Sequence, residues 1–383
     1  MKIPTQILLT PGPVTTHPDV RAAMAHDFAP WDDEFRSLCT SVRERVRAIA
    51  GGIPDQHVAL VLQGCGHFIT EAAIRTFLPP GGRILIPQTG PYADRMIRLA
   101  TEAGRVVVPL AIGPDRPTDP KAVAAALQAD PSISHVGVVY SETGSGVVHN
   151  QAAIGAVAGA HGRRTIVDAV SAFGALPFNI AAQPEVDAVL FTSNKCIEAL
   201  PGLGFAVCPA DRLTASAGNA GSWSFDLTDI YTHGLRAPGS FRFTPPAQVL
   251  YAFNTALDRF DAEGGQPARL ARYTANMHVL YDGVRALGLT PWLAPEHQGP
   301  IIVNVRAPAN PAWDLQSFVD TLKASGFLIS NFYNTDEPSF RIGCIGAITP
   351  EDMAQAVAAM GEALATLGIH QQAGHPPTKN GLR

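Results

Sequence analysis

The sequence predicts an α/β protein with two parts, a large domain built on a mostly parallel β-sheet and a smaller α+β domain after it. Its length of 383 residues is more than one small core accommodates. Its composition, 46% apolar and 16% charged, allows a sizeable core and excludes a disordered or fibrous protein. Short apolar runs also alternate with helical patterns over the first half of the chain. This alternation is typical of parallel strands joined by helices.

Five apolar runs are predicted to be strands because each is continuously apolar, as strands buried on both faces are. They cover residues 83–87, 135–140, 165–170, 188–192 and 204–208. Between several of these runs, apolar residues recur at the spacing of a helix. The helices predicted from that spacing cover residues 68–77, 92–103, 120–129 and 151–160. These elements form the predicted sheet of the large domain and its flanking helices.

The pattern changes near Gln248, where longer helices begin. The elements predicted from there are helices at 248–262 and 267–287, a strand at 301–305, a helix at 315–325, strands at 327–332 and 339–345, and a last helix. That helix is predicted to start at Thr349-Pro350, because a hydroxyl N-cap, a proline and two acidic residues stand at its beginning. The resulting division is an N-terminal segment at 1–20, a large domain at 21–260, a small domain at 261–369 and a disordered tail at 370–383.

Charge and cysteine content argue against several classes of protein. The formal net charge is −5 and no run of Lys or Arg exceeds a pair, so no nucleic-acid partner is expected. No signal peptide or membrane span is predicted, since the longest uncharged stretch, residues 144–162, contains polar side chains. The 5 cysteines lack C-x-x-C spacing, which argues against a disulfide framework and against a zinc site. We therefore expect a cytoplasmic protein without a metal.

Two ionisable residues stand near the ends of neighbouring predicted strands. Asp168 ends one apolar run, and Lys195 follows the next. Because the carboxyl ends of parallel strands share one edge of a sheet, where ligands bind, we expect the two side chains to meet there. An amine and a carboxylate suit pyridoxal phosphate, which forms a Schiff base with the amine and has a ring nitrogen that the carboxylate keeps protonated. The alternative is an aspartate that caps a turn and a lysine that reaches solvent.

The segment Gly64-Cys65-Gly66-His67 precedes the helix predicted at 68–77. Small residues before a helix leave backbone N–H groups at its positive end, where an anion such as a phosphate binds. His67 is a candidate for stacking over a flat ring. A tight turn between a strand and a helix explains the two glycines equally well. The segment is not the G-x-G-x-x-G fingerprint, which disfavours an NAD-dependent dehydrogenase.

Two further polar residues lie next to or within apolar runs of the sequence. Thr143 lies in a loop rich in Ser, Thr and Gly that follows the run at 135–140, so its hydroxyl is expected at the same sheet edge, unless the loop is only a turn. Arg341 lies inside an apolar strand and requires an anionic partner there. Its planar guanidinium suits the carboxylate or phosphonate of a substrate. A structural ion pair is the alternative.

Several segments are shared with one enzyme family. They are LLTPGP at 8–13, WDD at 31–33, IVDAVS at 166–171, SNKCIE at 193–198, PG at 201–202, FRFT at 241–244 and FRIG at 340–343. On these segments the sequence resembles, over residues 8–368, the class V subgroup of the fold-type I pyridoxal phosphate aminotransferases. Within this family it is most similar to the enzymes that act on 2-aminoethylphosphonate and pyruvate.

The resemblance implies a fold, a cofactor and a set of cofactor-binding residues. The family's large domain has a mostly parallel seven-stranded sheet, and its cofactor is pyridoxal phosphate. Lys195 is implied to form the Schiff base with this cofactor, and Asp168 to pair with its ring nitrogen. The other cofactor-binding residues implied are Gly64, Cys65, Gly66, His67, Tyr92, Thr143, Ser193 and Thr244.

The resemblance also concerns the substrate and the subunits. Arg341 is implied to bind the acid group of the substrate. Gly12 and Pro13 are implied to border the substrate pocket, which places the N-terminal segment next to the active site. Thr244 is implied to reach the phosphate bound in the partner subunit. A homodimer with shared active sites is therefore expected.

The resemblance implies transfer of the amino group of 2-aminoethylphosphonate, or a related aminophosphonate, to pyruvate, with phosphonoacetaldehyde and alanine as products. Two departures from the family pattern leave an alternative open, an alanine- or serine-glyoxylate aminotransferase of the same fold. Cys65 and His67 stand where the phosphonate enzymes have Ser and Thr, and the segment 329–334 also differs. A cysteine desulfurase is disfavoured, because Cys344 lies in an apolar strand and not on a mobile loop.

Overall fold

The structure is a computed structural model that describes residues 6–333, 335 and 337–369. The tail predicted at 370–383 lies outside the described residues, as do the first five residues of the predicted N-terminal segment and Asn334 of the segment 329–334. The strands are β1 (Ile7–Leu8), β2 (His57–Gly64), β3 (Arg83–Gln88), β4 (Val106–Ala111), β5 (Ile133–Val139), β6 (Arg164–Asp168), β7 (Val186–Thr192), β8 (Gly202–Pro209), β9 (Ile302–Arg306), β10 (Phe327–Leu328) and β11 (Ser339–Gly343). The helices are α1 (Pro18–Ala22), α2 (Asp33–Ile49), α3 (Gly66–Phe77), α4 (Pro91–Glu102), α5 (Pro120–Ala129), α6 (Gln151–Ala160), α7 (Ala210–Ala215), α8 (Leu227–Arg236), α9 (Ala247–Glu263), α10 (Gly265–Ala286), α11 (Leu315–Ala324) and α12 (Pro350–Thr366).

A seven-stranded sheet forms the centre of the larger part, in the order β2-β8-β7-β6-β5-β3-β4. Strand β8 runs antiparallel to both of its neighbours, and the other pairs are parallel. The predicted α/β fold with a mostly parallel seven-stranded sheet is therefore confirmed. Strand β4 was not predicted, because it is an edge strand with alternating exposure and contains Pro109, which edge strands tolerate.

Helices cover both faces of this sheet, so each central strand contributes to two cores. In β7, Val189 and Phe191 belong to the core formed with α2 and α9. Ala188 and Leu190, which point to the opposite face, belong to the core formed with α3 and α4. Because side chains alternate along a strand, burial on both faces makes the whole run apolar. This explains why β7 could be predicted from composition alone.

A separate core lies in the C-terminal part, where β9 pairs antiparallel with β11 and where α10, α11 and α12 pack. The N-terminus joins this core, since β1 pairs parallel with β10 and Leu9 is fully buried in it. The strand predicted at 327–332 is shorter than expected. It pairs only over Phe327–Leu328, because β1 offers only two residues as a partner.

The last helix starts as predicted. Thr349 is the N-cap of α12, and its hydroxyl and the carboxylate of Asp352 form a reciprocal capping box. Pro350 occupies the first turn, where its missing N–H costs nothing. Within the part of the chain that the structure describes, no helix is long and apolar enough to cross a membrane.

Candidate active site

A cavity opens at the carboxyl end of the parallel strands, next to the beginning of α3. Strand β6 ends there at Asp168, and Lys195 follows the end of β7. The residues that line the cavity are Gly12, Cys65, Gly66, His67, Thr70, Tyr92, Arg95, Met96, Leu99, Asp168, Val170, Thr192, Asn194 and Lys195. Seven of these were predicted from the sequence as site residues, namely Gly12, Cys65, Gly66, His67, Tyr92, Asp168 and Lys195. The fold therefore brings the predicted amine and carboxylate to one cavity.

The Lys195 side chain is held between the sheet edge and the N-terminal segment. Its Nζ donates a hydrogen bond to the Pro11 carbonyl at 2.6 Å. Gly12 has a φ of +135°, and a β-carbon there would lie 2.5 Å from the Lys195 Cδ, so this position requires glycine. Burial lowers the pKa of Lys195, and the nearby Arg341 charge lowers it further, against opposing effects of Tyr92, Cys196 and Asp168.

The Asp168 carboxyl group is the last side chain of β6. Its Oδ1 accepts a hydrogen bond from the Val170 backbone N–H at 2.9 Å, which fixes its orientation. Burial raises the pKa of Asp168 to about 6, although the Val170 N–H and the positive charge of Lys195 oppose this shift. A carboxylate in such surroundings favours a cationic partner.

The beginning of α3 forms the third side of the cavity. Cys65 is the N-cap residue, and its side chain makes no capping hydrogen bond to the helix. A β-carbon on Gly66 would lie 2.9 Å from Val170 Cγ2, and one on Gly64 would lie 2.1 Å from Phe68 Cδ2. The glycines therefore allow the backbone to approach closely, and the first-turn N–H groups stay available for an anion. His67 follows, with its Nδ1 4.0 Å from the Cys65 Sγ.

Two arginines accompany Tyr92. The Arg95 guanidinium carbon lies 4.6 Å from the centroid of the Tyr92 ring, a cation–π contact. Burial alone would raise the pKa of Tyr92, but the charges of Lys195, Arg341 and Arg95 lower it overall. Sequence reasoning missed Arg95. Its position three residues after Tyr92 on α4, on the same face of the helix, was the signal that could have revealed it.

Arg341 is buried on β11, and its Nη1 donates to the Thr143 carbonyl at 2.9 Å. Its guanidinium carbon lies 5.5 Å from the centroid of the Phe332 ring, which belongs to the segment that departs from the family pattern. The Thr143 and Ser171 hydroxyl groups are joined by a hydrogen bond of 2.5 Å. The predicted anion anchor and the predicted hydroxyl loop are therefore in direct contact.

Six of the predicted residues are not among those that line the cavity: Gly64, Pro13, Thr143, Ser193, Thr244 and Arg341. The Ser193 hydroxyl donates to the Leu200 carbonyl at 2.6 Å, and the Pro13 carbonyl accepts from the Thr10 hydroxyl. Thr244 is exposed on the surface of the chain. Within one chain, the structure thus does not bring Thr244 to the cavity.

Sequence reasoning also missed Glu142, a buried carboxyl group behind Tyr92. Its Oε1 accepts from the backbone N–H groups of Gly144 at 2.9 Å and of Tyr92 at 3.4 Å. Its Oε2 is buried without a hydrogen-bond partner among the residues that the structure describes. Burial raises the pKa of Glu142 to about 7, against the effect of the backbone N–H groups. A single glutamate in a loop rich in Ser, Thr and Gly gives no sign of its burial in the sequence.

Comparison with known proteins identifies the family. The family model described as "Aminotransferase class-V" matches residues 20–325. A "2-aminoethylphosphonate--pyruvate transaminase" from Burkholderia ambifaria (strain MC40-6) is 44% identical over 97% of this chain and 98% of its own length. The chain belongs to the class-V aminotransferases. The resemblance and the enzyme class predicted from the sequence are thereby confirmed.

Solved structures of other aminotransferases share the fold of this class-V aminotransferase. The pyridoxamine-pyruvate aminotransferase from Mesorhizobium loti is 26% identical, with a TM-score of 0.85 over 96% of this chain and 95% of its own. The ureidoglycine-glyoxylate aminotransferase from Bacillus subtilis is 23% identical, with a TM-score of 0.87 over 98% of this chain and 96% of its own. At 23% identity, the similarity to the Bacillus subtilis enzyme concerns the fold alone.

The cofactor of this class-V aminotransferase is pyridoxal phosphate, and the residues of the cavity fit it. The cavity offers a buried amine at Lys195, and a carboxylate at Asp168 whose burial favours a cationic partner. It also has a helix N-terminus at Gly66 that no side chain caps. These three features match the aldehyde, the ring nitrogen and the phosphate of the cofactor in turn.

Proposed function

We propose that this aminotransferase transfers the amino group of 2-aminoethylphosphonate to pyruvate, giving phosphonoacetaldehyde and alanine. The observation that carries the proposal is the identity of 44% and 43%, over 97% of the chain, to two relatives named for this reaction. The second of these comes from Burkholderia lata. A buried arginine beside the cavity supports the same proposal, because both substrates carry an acid group.

Arg341 binds that acid group in the proposed reaction. Its guanidinium is buried and oriented by the Thr143 carbonyl, so little conformational freedom is lost when a substrate binds. A planar guanidinium donates two parallel charge-assisted hydrogen bonds to a phosphonate or a carboxylate. One residue can therefore serve the amine donor and the keto acid in turn.

Lys195 and Asp168 carry the proton chemistry. Pyridoxal phosphate, when bound, acts as an electron sink that stabilises negative charge at the amine-bearing carbon of the substrate. Asp168 holds the proton on the ring nitrogen that this role needs. Lys195 would hold the cofactor through its Nζ. When the amino group of the substrate takes its place on the cofactor, the freed Nζ would accept the proton from the substrate carbon. Because burial lowers its pKa, a larger fraction of the amine is neutral and able to act as a base at neutral pH.

The remaining residues of the cavity bind the phosphate of the cofactor or exclude water. The N–H groups at the start of α3, near Gly66, hold the phosphate of the cofactor. Tyr92 and His67 line the cavity and exclude water from it. The Pro11 carbonyl, 2.6 Å from Nζ, orients the amine of Lys195.

We further propose that the enzyme is a cytoplasmic homodimer with shared sites. Thr244 is exposed and follows Phe243 in the chain. Phe243 is 40% exposed and Trp223 is 69% exposed. The centroids of their two rings lie 5.1 Å apart. Exposed aromatic side chains grouped in this way are typical of an interaction surface. If a second copy of the chain covers this surface, Thr244 of the first subunit would lie near the cavity of the second subunit. All five cysteines are unpaired, which supports a reducing compartment.

A substrate panel tests the proposed reaction. The purified enzyme with its cofactor is given 2-aminoethylphosphonate, alanine or serine as amine donor, and pyruvate or glyoxylate as acceptor. We expect the highest kcat/KM for 2-aminoethylphosphonate with pyruvate, measured by the appearance of phosphonoacetaldehyde and alanine. If alanine or serine with glyoxylate reacts at least as fast, the alternative function replaces the proposed one.

A further inference from the structure

A buried cluster of charged and polar side chains joins the segment after Lys195 to helix α10. On the segment it contains the backbone of Cys196 and the side chain of Glu198. On α10 it contains Arg269, Arg272 and Tyr273. Nothing in the chemistry proposed above uses this cluster.

The cluster holds the Lys195 segment by short hydrogen bonds. The Arg269 guanidinium, only 1% exposed, donates to the Cys196 carbonyl at 2.5 Å. Glu198 Oε1 accepts from the Tyr273 hydroxyl at 2.6 Å and from Arg272 Nη2 at 2.7 Å. A hydrogen bond in the low dielectric of a buried site is strong, and removal of one partner leaves the other unpaired.

The backbone of Glu198, whose side chain these bonds hold, has an unusual conformation. Its φ is +61°, in the left-handed region that residues with a side chain rarely adopt. Such a conformation persists only where surrounding contacts compensate for its cost. Within the turn, the Glu198 N–H donates to the Lys195 carbonyl at 2.8 Å. The two donors of α10 add to this by holding the Glu198 side chain. The turn directly after Lys195 is therefore supported in part by α10.

The other side of the cluster is anchored in the C-terminal part. Arg272 Nη1 donates to the carbonyls of Gly346 at 2.6 Å and Ile348 at 2.9 Å. Glu263 accepts from Arg269 at 2.7 Å and from Arg272 at 2.8 Å, which balances the second positive charge. The cluster is therefore a rigid link between the C-terminal core and the Lys195 segment.

We propose that Glu198, held by Tyr273 and Arg272, is a positioning residue that fixes the Lys195 side chain at the cofactor. The inference rests on the proposed role of Lys195 and extends it to residues that do not touch the cofactor. Without the anchor, the turn at Glu198 relaxes and the Lys195 nitrogen becomes mobile and better hydrated. Catalysis then slows, because proton transfer requires the nitrogen at a defined place.

Three variants test this role. In Glu198→Ala, kcat falls about 10-fold or more, while the KM for the amine donor stays within about twofold because Arg341 is unchanged. In Tyr273→Phe the same effect appears in weaker form, since only one donor is lost. Glu198→Gln keeps an acceptor for the Tyr273 hydroxyl but loses the charge that pairs with Arg272, so it recovers only part of the lost kcat.

A second readout separates positioning from simple stability. The pH midpoint of the absorbance of the bound cofactor, measured without substrate, reports the proton on the Lys195 nitrogen. This midpoint rises in Glu198→Ala and Tyr273→Phe, because a better hydrated nitrogen holds its proton more firmly. The groups that act on the charge of Lys195 are Tyr92, Arg341, Cys196 and Asp168, and neither substitution replaces any of them.

Two control variants match the test variants in chemistry. Tyr281→Phe removes another buried hydroxyl of α10, which donates to the Leu293 carbonyl at 3.0 Å. Asp187→Asn breaks another buried ion-pair cluster, at the opposite end of the sheet. Both controls lower thermal stability and leave kcat and the pH midpoint unchanged.

The outcomes are distinct. If Glu198→Ala and Tyr273→Phe lose stability like the controls and keep the wild-type midpoint and kcat, the positioning role is wrong and the cluster is only structural. If the wild-type protein does not attach the cofactor to Lys195, the proposed function fails and the inference fails with it. The proposal is supported if the test variants show a raised midpoint and a reduced kcat and the control variants show neither change.

Discussion

Gly12 and Lys195 lie so close together that a β-carbon on Gly12 would stand 2.5 Å from Lys195 Cδ and 3.0 Å from Nζ. We therefore predict that Gly12→Ala displaces the lysine and lowers kcat by about 100-fold or more. The measurement is kcat, together with peptide mapping of the cofactor attached to Lys195 after borohydride reduction.

The control for this substitution is Gly81→Ala. Gly81 also has a positive φ, of +74°, but a β-carbon there would meet nothing within 4 Å. Both variants carry a backbone strain of about 1–3 kcal/mol, so Gly81→Ala controls for the effect of that strain without the contact with Lys195. If Gly12→Ala attaches the cofactor and reacts as well as Gly81→Ala does, the close contact has no functional importance.

Asp168→Asn should weaken cofactor binding and reduce kcat by roughly 100-fold or more, because the ring nitrogen loses its counter-charge. The pH dependence of binding gives a sharper test. Burial raises the pKa of Asp168 to about 6 in the cofactor-free protein, so the carboxyl group is protonated below that pH and cannot pair with a cation. The affinity for pyridoxal phosphate should therefore increase as the pH rises through about 6. Equilibrium titrations across this range should lack that step in Asp168→Asn, and an identical step in both proteins would assign it to another group.

The success and the limits of the sequence-based interpretation have a common physical origin. Strand β7 and the ends of β6 and β7 were predictable, because burial on both faces leaves a local apolar run and strand ends share an edge. Glu142 and the contact of Pro11 with Lys195 depend on segments far apart in the chain. The pairing of β1 with β10 likewise joins residues 7–8 to residues 327–328. Such long-range contacts leave no periodic signal in the sequence.

Arg341→Lys should raise the KM for the amine donor while the cofactor remains bound to Lys195. An ammonium is a point charge and cannot donate two parallel hydrogen bonds to a phosphonate. The expected loss is roughly 1.5–3 kcal/mol, or about 10- to 150-fold in KM. Arg306→Lys on the neighbouring strand β9 is the control, because the Arg306 side chain is 42% exposed and Arg306 lies outside the cavity. An unchanged KM for every acid-bearing amine in Arg341→Lys would show that the arginine is structural.

Asp187 should govern the stability of the protein in acid. Its carboxylate is fully buried and accepts hydrogen bonds from Arg212 at 2.8 Å and Arg164 at 2.8 Å, with His135 at 3.1 Å. Although burial opposes it, these partners lower the pKa of Asp187 from 3.8 to about 2. The stabilisation is therefore complete above the pKa that the Asp187 carboxyl has in the unfolded chain. It is lost as the pH falls from about 4 to about 2. It amounts to roughly 2 kcal/mol.

Asp187→Asn should cost up to about 3 kcal/mol at neutral pH, because the half-buried guanidinium groups of Arg164 and Arg212 lose the carboxylate that pairs with them. Urea unfolding at a series of pH values measures both effects. The variant should lack the decrease between pH 4 and 2 that the wild type owes to this residue. A wild-type free energy of unfolding that stays constant over this range would contradict the shift.

The shared active site can be tested with mixed subunits. One chain carries Lys195→Ala and the other Thr244→Ala, and each homodimer alone should be at least about 10-fold less active than the wild type. If Thr244 serves the cavity of the partner subunit, a hybrid dimer has one site with both defects and one site with neither. With random mixing, half of the dimers are hybrids and each has one intact site of two, so activity should recover to about a quarter of the wild-type value. If Thr244 served its own cavity, both sites of the hybrid would remain defective. Hybrids that form, as seen by native mass spectrometry, but recover no activity would therefore contradict the shared arrangement and assign Thr244 to the cavity of its own chain. A Thr244→Ala homodimer with wild-type activity would instead show that Thr244 is only a surface residue.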